Sequence, residues 1–380
     1  VLLPAEKYTL MALTDSRRCI FCGEAPDEKT REHVIPYWLL AMTGDPRRVV
    51  PLGQDFSRGK QAIQFSWSNF VAPACRACNN SYAQLEERAK PHIERLLRFE
   101  ALSVGDYIDV MDWLDKIRIG IWLTRHMIEK HPVEVTPNFY ISSRVAAKDR
   151  MIAIHVIAPQ PNGISLFGCD SLIFSEMPSC FGIRINEILI LNVSFDFFCS
   201  AGCGLPRPRY MRQLMGGKHS GMLKLDGVIC NADVSFPITD LRLHKPVVWI
   251  YQPIKLPVSM PEFKGGFWGH TSKFDSRIYE RTMVDNDRQG ALFRQFDDRV
   301  DILTEASSLI EFDSVTGDDC VPMSEIIASV YETQISLLNL QEYDWIDPNK
   351  PDEFFKEFRD LKISSATETA NFYRKASSRT

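Results

Sequence analysis

The 380-residue chain predicts an α+β fold in two parts: a small N-terminal unit closed by cysteines, then a larger mixed α/β region with a mostly antiparallel or mixed sheet. Three observations carry this reading. Two Cys-x-x-Cys pairs, Cys19/Cys22 and Cys75/Cys78, frame the first hundred residues. Val110, Leu114, Ile117 and Ile121 recur at helical spacing, which predicts an amphipathic helix over about 106–130. Beyond His131-Pro132 the pattern changes to apolar runs of strand length separated by Gly- and Pro-rich turns. The length predicts more than one domain. The divisions expected are 1–100, 101–362 and a flexible polar tail, 363–380.

The elements follow in order. Cys19 to Gly23 has the spacing of a metal knuckle, with Gly23 relieving the backbone. Thr30 to Pro36 is expected to be extended, and Tyr37 to Met42 a short helix. Residues 43–66 hold Gly44, Pro46, Pro51, Gly53 and Gly59 without a clear period, which predicts a long substrate-contacting loop. Trp67 to Ala72 is a predicted strand. Helix is expected from Asn80, with Tyr82, Leu85 and Ala89 on one face, and a separate helical segment from Pro91. Met151 to Ala158 is apolar throughout, as in a strand buried on both faces. Ile188 to Cys199, Gly227 to Ile238 and Val247 to Ile254 are further strands, with turns at Gly202 to Pro208 and Gly216 to Gly221. Residues 266–300 resist assignment. Ser324 to Leu340 and Asp352 to Leu361 are expected helices.

Composition narrows the function classes. Hydrophobic content is 45% and charged content 24%, ordinary for a globular chain. No apolar run approaches the ~20 residues of a membrane span, so no membrane partner is expected. The start has no signal-peptide pattern, and paired Cys-x-x-Cys motifs suit metal binding in a reducing compartment, so a cytoplasmic location is expected. Net charge is −5, yet residues 1–100 carry a small positive excess. Arg17, Arg18, Arg31, Arg47, Arg48, Arg58, Lys60 and Arg76 cluster around the cysteines and offer a local phosphate-binding patch on an acidic molecule.

Four thiolates about 2.3 Å from one Zn²⁺ make a closed tetrahedral site with no position for water. Cys19, Cys22, Cys75 and Cys78 supply that set, which predicts a structural zinc joining two distant segments. The join brings Glu32-His33 near Asn79-Asn80. Phosphodiester hydrolysis needs a hard cation on carboxylate or amide oxygens and a base for water. Histidine suits the base, since its ordinary pKa lies near 6.5.

The order Cys-x-x-Cys, Arg31-Glu32-His33-Val34-Ile35-Pro36, Asn69, Cys75-Arg76-Ala77-Cys78-Asn79-Asn80 resembles the HNH endonucleases, in particular a prokaryotic subgroup with long C-terminal regions. The resemblance covers roughly residues 17–90. It implies a ββα-metal fold around one catalytic divalent ion, Mg²⁺ or Mn²⁺, and DNA (or RNA) as substrate. It implies His33 as general base, Asn69 as the group orienting it, and Glu32 and Asn79 as ligands of the catalytic metal, with Asn80 a substitute for Asn79. Arg31 and Arg76 are placed to touch phosphate but match no diagnostic position. The family also implies a setting in mobile-element biology or antiphage defence. Two departures stand out: the 43–66 insert lengthens the motif, and Ser81, Tyr82 and Ala83 occupy a turn where a basic residue is common. They motivate an alternative, a zinc-stabilised DNA-binding or ligand-sensing module with little or no nuclease activity. Residues 101–362 then serve recognition, assembly as a homo-oligomer, or sensing of an activating ligand or partner.

Other groups read as structural. Cys199, Cys203 and Cys230 are expected to be buried thiols and His155 a core histidine, with His92 at the surface or in packing. His126 and Glu129 are expected on a solvated helix face.

Overall fold

The computed structural model describes residues 18–26, 28–55, 61–128, 137, 139–204, 207–215, 218–226, 234–253, 283–284, 289–313, 320–340 and 352–377. The fold is α+β, and its strand ladders are antiparallel. Strands β1 (Lys29–His33) and β4 (Val71–Cys75) pair with each other, and helix α2 (Arg76–Leu96) follows directly. Between the two strands lie helix α1 (Tyr37–Met42) and a hairpin of β2 (Val49–Asp55) and β3 (Gln61–Ser66).

That hairpin corrects the expected loop over 43–66. Val49 and Val50 pair with Ser66 and Phe65, and the register shifts between Pro51 and Gln54. Pro51 and Gly53 therefore mark a bulge, where an unpaired amide or a missing side chain is tolerated. The expected strand from Trp67 starts later: Trp67–Asn69 is a 3₁₀ turn before β4. Helix α2 also runs unbroken through Pro91, so no second segment starts there. Leu85, Ala89, Ile93 and Leu96 keep one buried stripe across the proline, and that burial outweighs one lost backbone bond.

A two-residue strand β5 (Leu102–Ser103) leads into helix α3 (Val104–Ile128). Helix α3 is not the amphipathic helix expected, being buried on nearly every face, with Trp113 and Trp122 among the largest enclosed side chains. The cause is its position between two layers. On one side lie β1, β4 and α2, with Val34, Leu39 and Ile93 in a shared core. On the other lies a seven-stranded sheet.

That sheet contains β6 (Asp149–Val156), β7 (Ile164–Phe167), β8 (Cys180–Ile185), β9 (Ile188–Phe195), β12 (Val248–Gln252), β15 (Leu292–Gln295) and β16 (Val300–Leu303). Their order is β16-β15-β12-β6-β9-β8-β7. The central strands β6 and β9 are buried at every position, as the apolar run from Met151 predicts. Alternation sends Ile152, Ile154, Ile190 and Ile250 toward α3. Met151, Ala153, Leu191 and Val193 face the other way, toward Val330 and Leu337 of helix α5 (Met323–Leu340). Helix α4 (Leu172–Glu176) and helix α6 (Asp352–Ser377) complete that side.

Strands β10 (Arg207–Met215) and β11 (Lys218–Asp226) form a nine-pair hairpin that takes in the ends of the turns expected at Gly202 to Pro208 and Gly216 to Gly221. Of the expected strand Gly227 to Ile238, residues 227–233 lie outside the described set, and 234–238 are irregular. Short strands β13 (Met283–Val284) and β14 (Gln289–Gly290) pair, as do β5 and β17 (Leu309–Ile310). Residues 363–377 of the expected flexible tail are instead the second half of α6, and 378–380 lie outside the described residues. Ala366 and Ala370 are buried, Tyr373 stacks on Tyr331, and Arg374 pairs with Glu332 of α5. Among the described residues no helix is long and apolar enough to cross a membrane.

Candidate functional site

The cysteine cluster is built from two turns and one ladder. Amides in the first turn close it: Gly23 donates to Cys19 O at 2.9 Å and Cys19 to Glu24 O at 2.8 Å. Gly23 has φ +80, and the Tyr140 ring sits 2.2 Å from where a Cβ would lie, so only glycine fits. Cys75 ends β4 and Cys78 sits in the first turn of α2. All four sulfurs lie within 4.8 Å of one another, and Cys22 Sγ and Cys75 Sγ are 3.8 Å apart. A tetrahedron with arms of about 2.3 Å has edges of about 3.8 Å, so the cluster could hold a metal ion such as zinc.

The electrostatics agree. Burial works against ionising Cys19, but backbone amides, including Cys75 N–H at 3.2 Å, outweigh it and bring its pKa below the ordinary thiol value. Burial and the neighbouring sulfurs push Cys75 up to about 11 and Cys78 up to about 12. The Cys19 thiolate is favoured while those of Cys75 and Cys78 are resisted, so ionising the set together requires a cation among the sulfurs.

The β1–β4 ladder links this cluster to the predicted catalytic groups. Lys29 pairs with Cys75 at one end and His33 with Val71 at the other, four steps or ~14 Å away. Thr30 and Glu32 share the face toward α2, while His33 alternates to the opposite face. His33 is half-buried, its ring edge-on to Tyr37 at 6.0 Å. Asn69, exposed, ends the 3₁₀ turn two residues before Val71 and so lies near the His33 end.

Asn79 is fixed by a short chain of hydrogen bonds. Thr30 Oγ1 donates its only hydrogen to Ala74 O at 3.0 Å. It must then accept from Asn79 Nδ2 at 3.2 Å, which turns Asn79 Oδ1 away from Thr30. Asn80 is exposed and lines a shallow surface depression with Glu28 and Arg76. It stands apart from the Thr30–Asn79 contact.

Glu32 has partners that the local motif does not reveal. Lys116 of α3, with its side chain 2% exposed, binds both Glu32 Oε1 and Glu86 Oε1 of α2. Burial raises the Glu32 carboxyl above its ordinary value, Lys116 opposes this and Glu86 adds to it. Burial works against the Lys116 ammonium, yet Glu32 and Glu86 together outweigh it and raise its pKa. No second hydrogen bond reaches Glu32 among the described residues, so its other oxygen is not committed to Lys116. Lys116 and Glu86 are the site residues that sequence reasoning missed. Four charged residues, Asp112, Asp115, Lys116 and Arg118, set among the apolar residues of one helix were the available signal.

The basic patch is mostly engaged locally. Arg76 pairs with Glu28 at 2.7 Å, and Arg18 donates to Gly23 O at 2.9 Å. Arg47 pairs with Asp45, and Arg48 binds Asp45 O and Thr43 Oγ1. Arg31 is exposed opposite Pro73, while Arg17, Arg58 and Lys60 lie outside the described residues. His92 sits between α2 and Asp106 and Asp109 of α3, a packing role. His126 is not solvated as expected: it is edge-on to Trp122 and 3.0 Å from Ser175 O. Glu129 and Cys230 lie outside the described residues; Cys199 and Cys203 are buried thiols. His155 is a fully buried core histidine. Comparison of the chain with family models, curated proteins and solved structures finds no match.

Proposed function

We propose that the chain is a metal-dependent HNH-type endonuclease that hydrolyses phosphodiester bonds, with DNA as substrate. The observation that carries this is the shared face of β1 and α2, where Glu32 keeps one oxygen outside its lysine contact and Asn79 turns Oδ1 away from Thr30. Glu32 and Asn79 would hold a divalent ion, Mg²⁺ or Mn²⁺, which supplies positive charge to the scissile phosphate. Lys116 orients Glu32 from behind, as outer partners of metal-binding carboxylates do. With Glu86, it leaves two carboxylates around one ammonium, a charge balance that favours a cation.

His33 is the proposed base and Asn69 the proposed orienting group near the same strand end; alternation along β1 sets His33 on the face opposite Glu32 and Asn79, which weighs toward the second reading below. The four cysteines bind zinc and hold β1, β4 and the start of α2 in register, as thiolate sites select zinc and leave no open position. Arg31 meets phosphate from the exposed side of β1, and Arg76 and Asn80 border the helix start.

A second reading is a zinc-stabilised nucleic-acid-binding module without cleavage. The Lys116 contact on Glu32 and the local pairing of Arg48 and Arg76 favour it. Plasmid nicking with Mg²⁺ or Mn²⁺ separates the two. Cleavage should fall by about 10²-fold or more in His33→Ala and in Glu32→Gln. Undiminished nicking by His33→Ala would sink the assignment of the base. Salt-sensitive DNA binding without nicking under any divalent ion decides for the second reading.

A further inference from the structure

A cavity of about 230 Å³ opens on the sheet side of α3, away from the cysteines and Glu32. Its wall includes Arg118 of α3, Phe139, Arg144, Lys148, Glu176 and Ser194 of β9, with Asp196 at the rim. The wall carries three cations and two carboxylates, and behind it Arg118 is paired with Asp115 of its own helix. Both carboxylates already face a lysine: Asp196 meets Lys148 at 2.5 Å, and Glu176 meets Lys362 of α6.

The groups are held in place. Arg118 is anchored by Pro178 O at 2.9 Å and Asp115 Oδ1 at 2.6 Å, and it also binds Asn192. The Arg144 guanidinium lies 3.7 Å over the Phe139 ring, which stacks on Trp122 at 4.6 Å. Ser194 is 3% exposed, and its Oγ has no hydrogen-bond partner among the described residues although it borders the cavity. A buried hydroxyl is normally satisfied, so this one points to a missing acceptor or donor in the cavity. Burial lowers the Lys148 ammonium below its ordinary value; Asp196 opposes this, and Arg144 and Arg118 add to it.

We infer that this cavity binds a small phosphorylated anion, either inorganic phosphate or a compact phosphate monoester. Guanidinium, ammonium and hydroxyl donors from different directions match the tetrahedral oxygens of a phosphoryl group. At ~30 Å³ per water the space holds about eight waters, hence a ligand of about ten non-hydrogen atoms. A nucleic-acid strand or dinucleotide is too large for it.

Isothermal titration of the full chain with inorganic phosphate and with glycerol phosphate tests this. Saturable binding of one ligand per chain is expected. The affinity should weaken about tenfold or more in Arg144→Gln and several-fold in Ser194→Ala, each checked for native circular dichroism. Tighter binding of one probe identifies the free ion or the ester as the ligand, and either outcome upholds the site. If Arg144→Gln does not fold, the near-isosteric Ser194→Ala carries the test. No heat with either probe, equal heat from uncharged glycerol, or unchanged affinity in Ser194→Ala overturns it.

Discussion

Replacing Lys116 by Met keeps the aliphatic stem and removes the one cation between Glu32 and Glu86. The structure sets the scale. The lysine side chain is 2% exposed, that of Glu32 10% and that of Glu86 20%, so water does little to screen the loss. At an effective dielectric of ~20 and a separation of ~3 Å, each contact is worth about 5 kcal/mol gross. Lysine dehydration and repulsion between the two carboxylates cancel much of that. Breaking a buried pair from one side costs about 3–5 kcal/mol net. For a chain of 380 residues, with an unfolding entropy of about 0.8 kcal/mol per degree, that lowers the melting temperature by roughly 4–6 °C.

The pH dependence has a definite sign. Without the ammonium, burial is unopposed at Glu32 and holds its folded pKa above the unfolded one. A raised carboxyl contributes stability at low pH that is lost as pH rises through its folded pKa. Lys116→Met should therefore recover part of its deficit between pH 7 and pH 5, relative to the parent protein. Urea denaturation at both pH values measures this. A variant as stable as the parent at both would refute the buried Glu32–Lys116–Glu86 contact. Adding Glu32→Gln and Glu86→Gln to the variant should restore stability, since the uncompensated charges are then gone.

The remaining predictions concern the metal cluster and the sheet. Cys75→Ser, or a strong chelator, should release one zinc per chain and destabilise the protein by several kcal/mol, read by metal analysis and melting. Full metal content in Cys75→Ser would show that this sulfur is no ligand. Burial lowers His155 to about 4, so the neutral ring contributes stability above pH 6.5 that is lost as pH falls toward 4. The loss is about 3 kcal/mol in full, and His155→Leu should flatten the acid limb of the denaturation midpoint. Identical acid limbs in the two proteins would count against this.

What was legible in the sequence was local or strongly apolar. A Cys-x-x-Cys turn is complete within four residues, and the run from Met151 admits few structures besides a central strand. The two long hairpins were harder. In 207–226, Arg207, Arg209 and Arg212 and three glycines break up the apolar alternation that marks a strand. In α6 a signal was present: Ala366, Ala370 and Tyr373 follow a helical period, but alanine and polar neighbours hid it. Lys116 was illegible for a different reason. Its partner Glu32 is 84 residues away, and only the packing of α3 against β1 and α2 brings them together.

Helix α3 explains why the stapled unit and the sheet share one core. A helix with a single buried face would show a clear apolar stripe and a polar back. Here each direction meets protein, so apolar residues surround the axis and charges appear only where a partner waits. Lys116 turns to Glu32 and Glu86, Asp112 and Asp115 turn to Arg150 of β6, and Arg118 pairs with Asp115 and reaches Asn192 of β9. Those charges compensate in pairs and cannot rotate to another face without leaving one unpaired in the interior. They therefore set the angular position of α3 where apolar packing alone would tolerate several. That in turn fixes Lys116 behind Glu32 and Arg118 at the wall of the anion cavity, two residues apart on a helix with no free face.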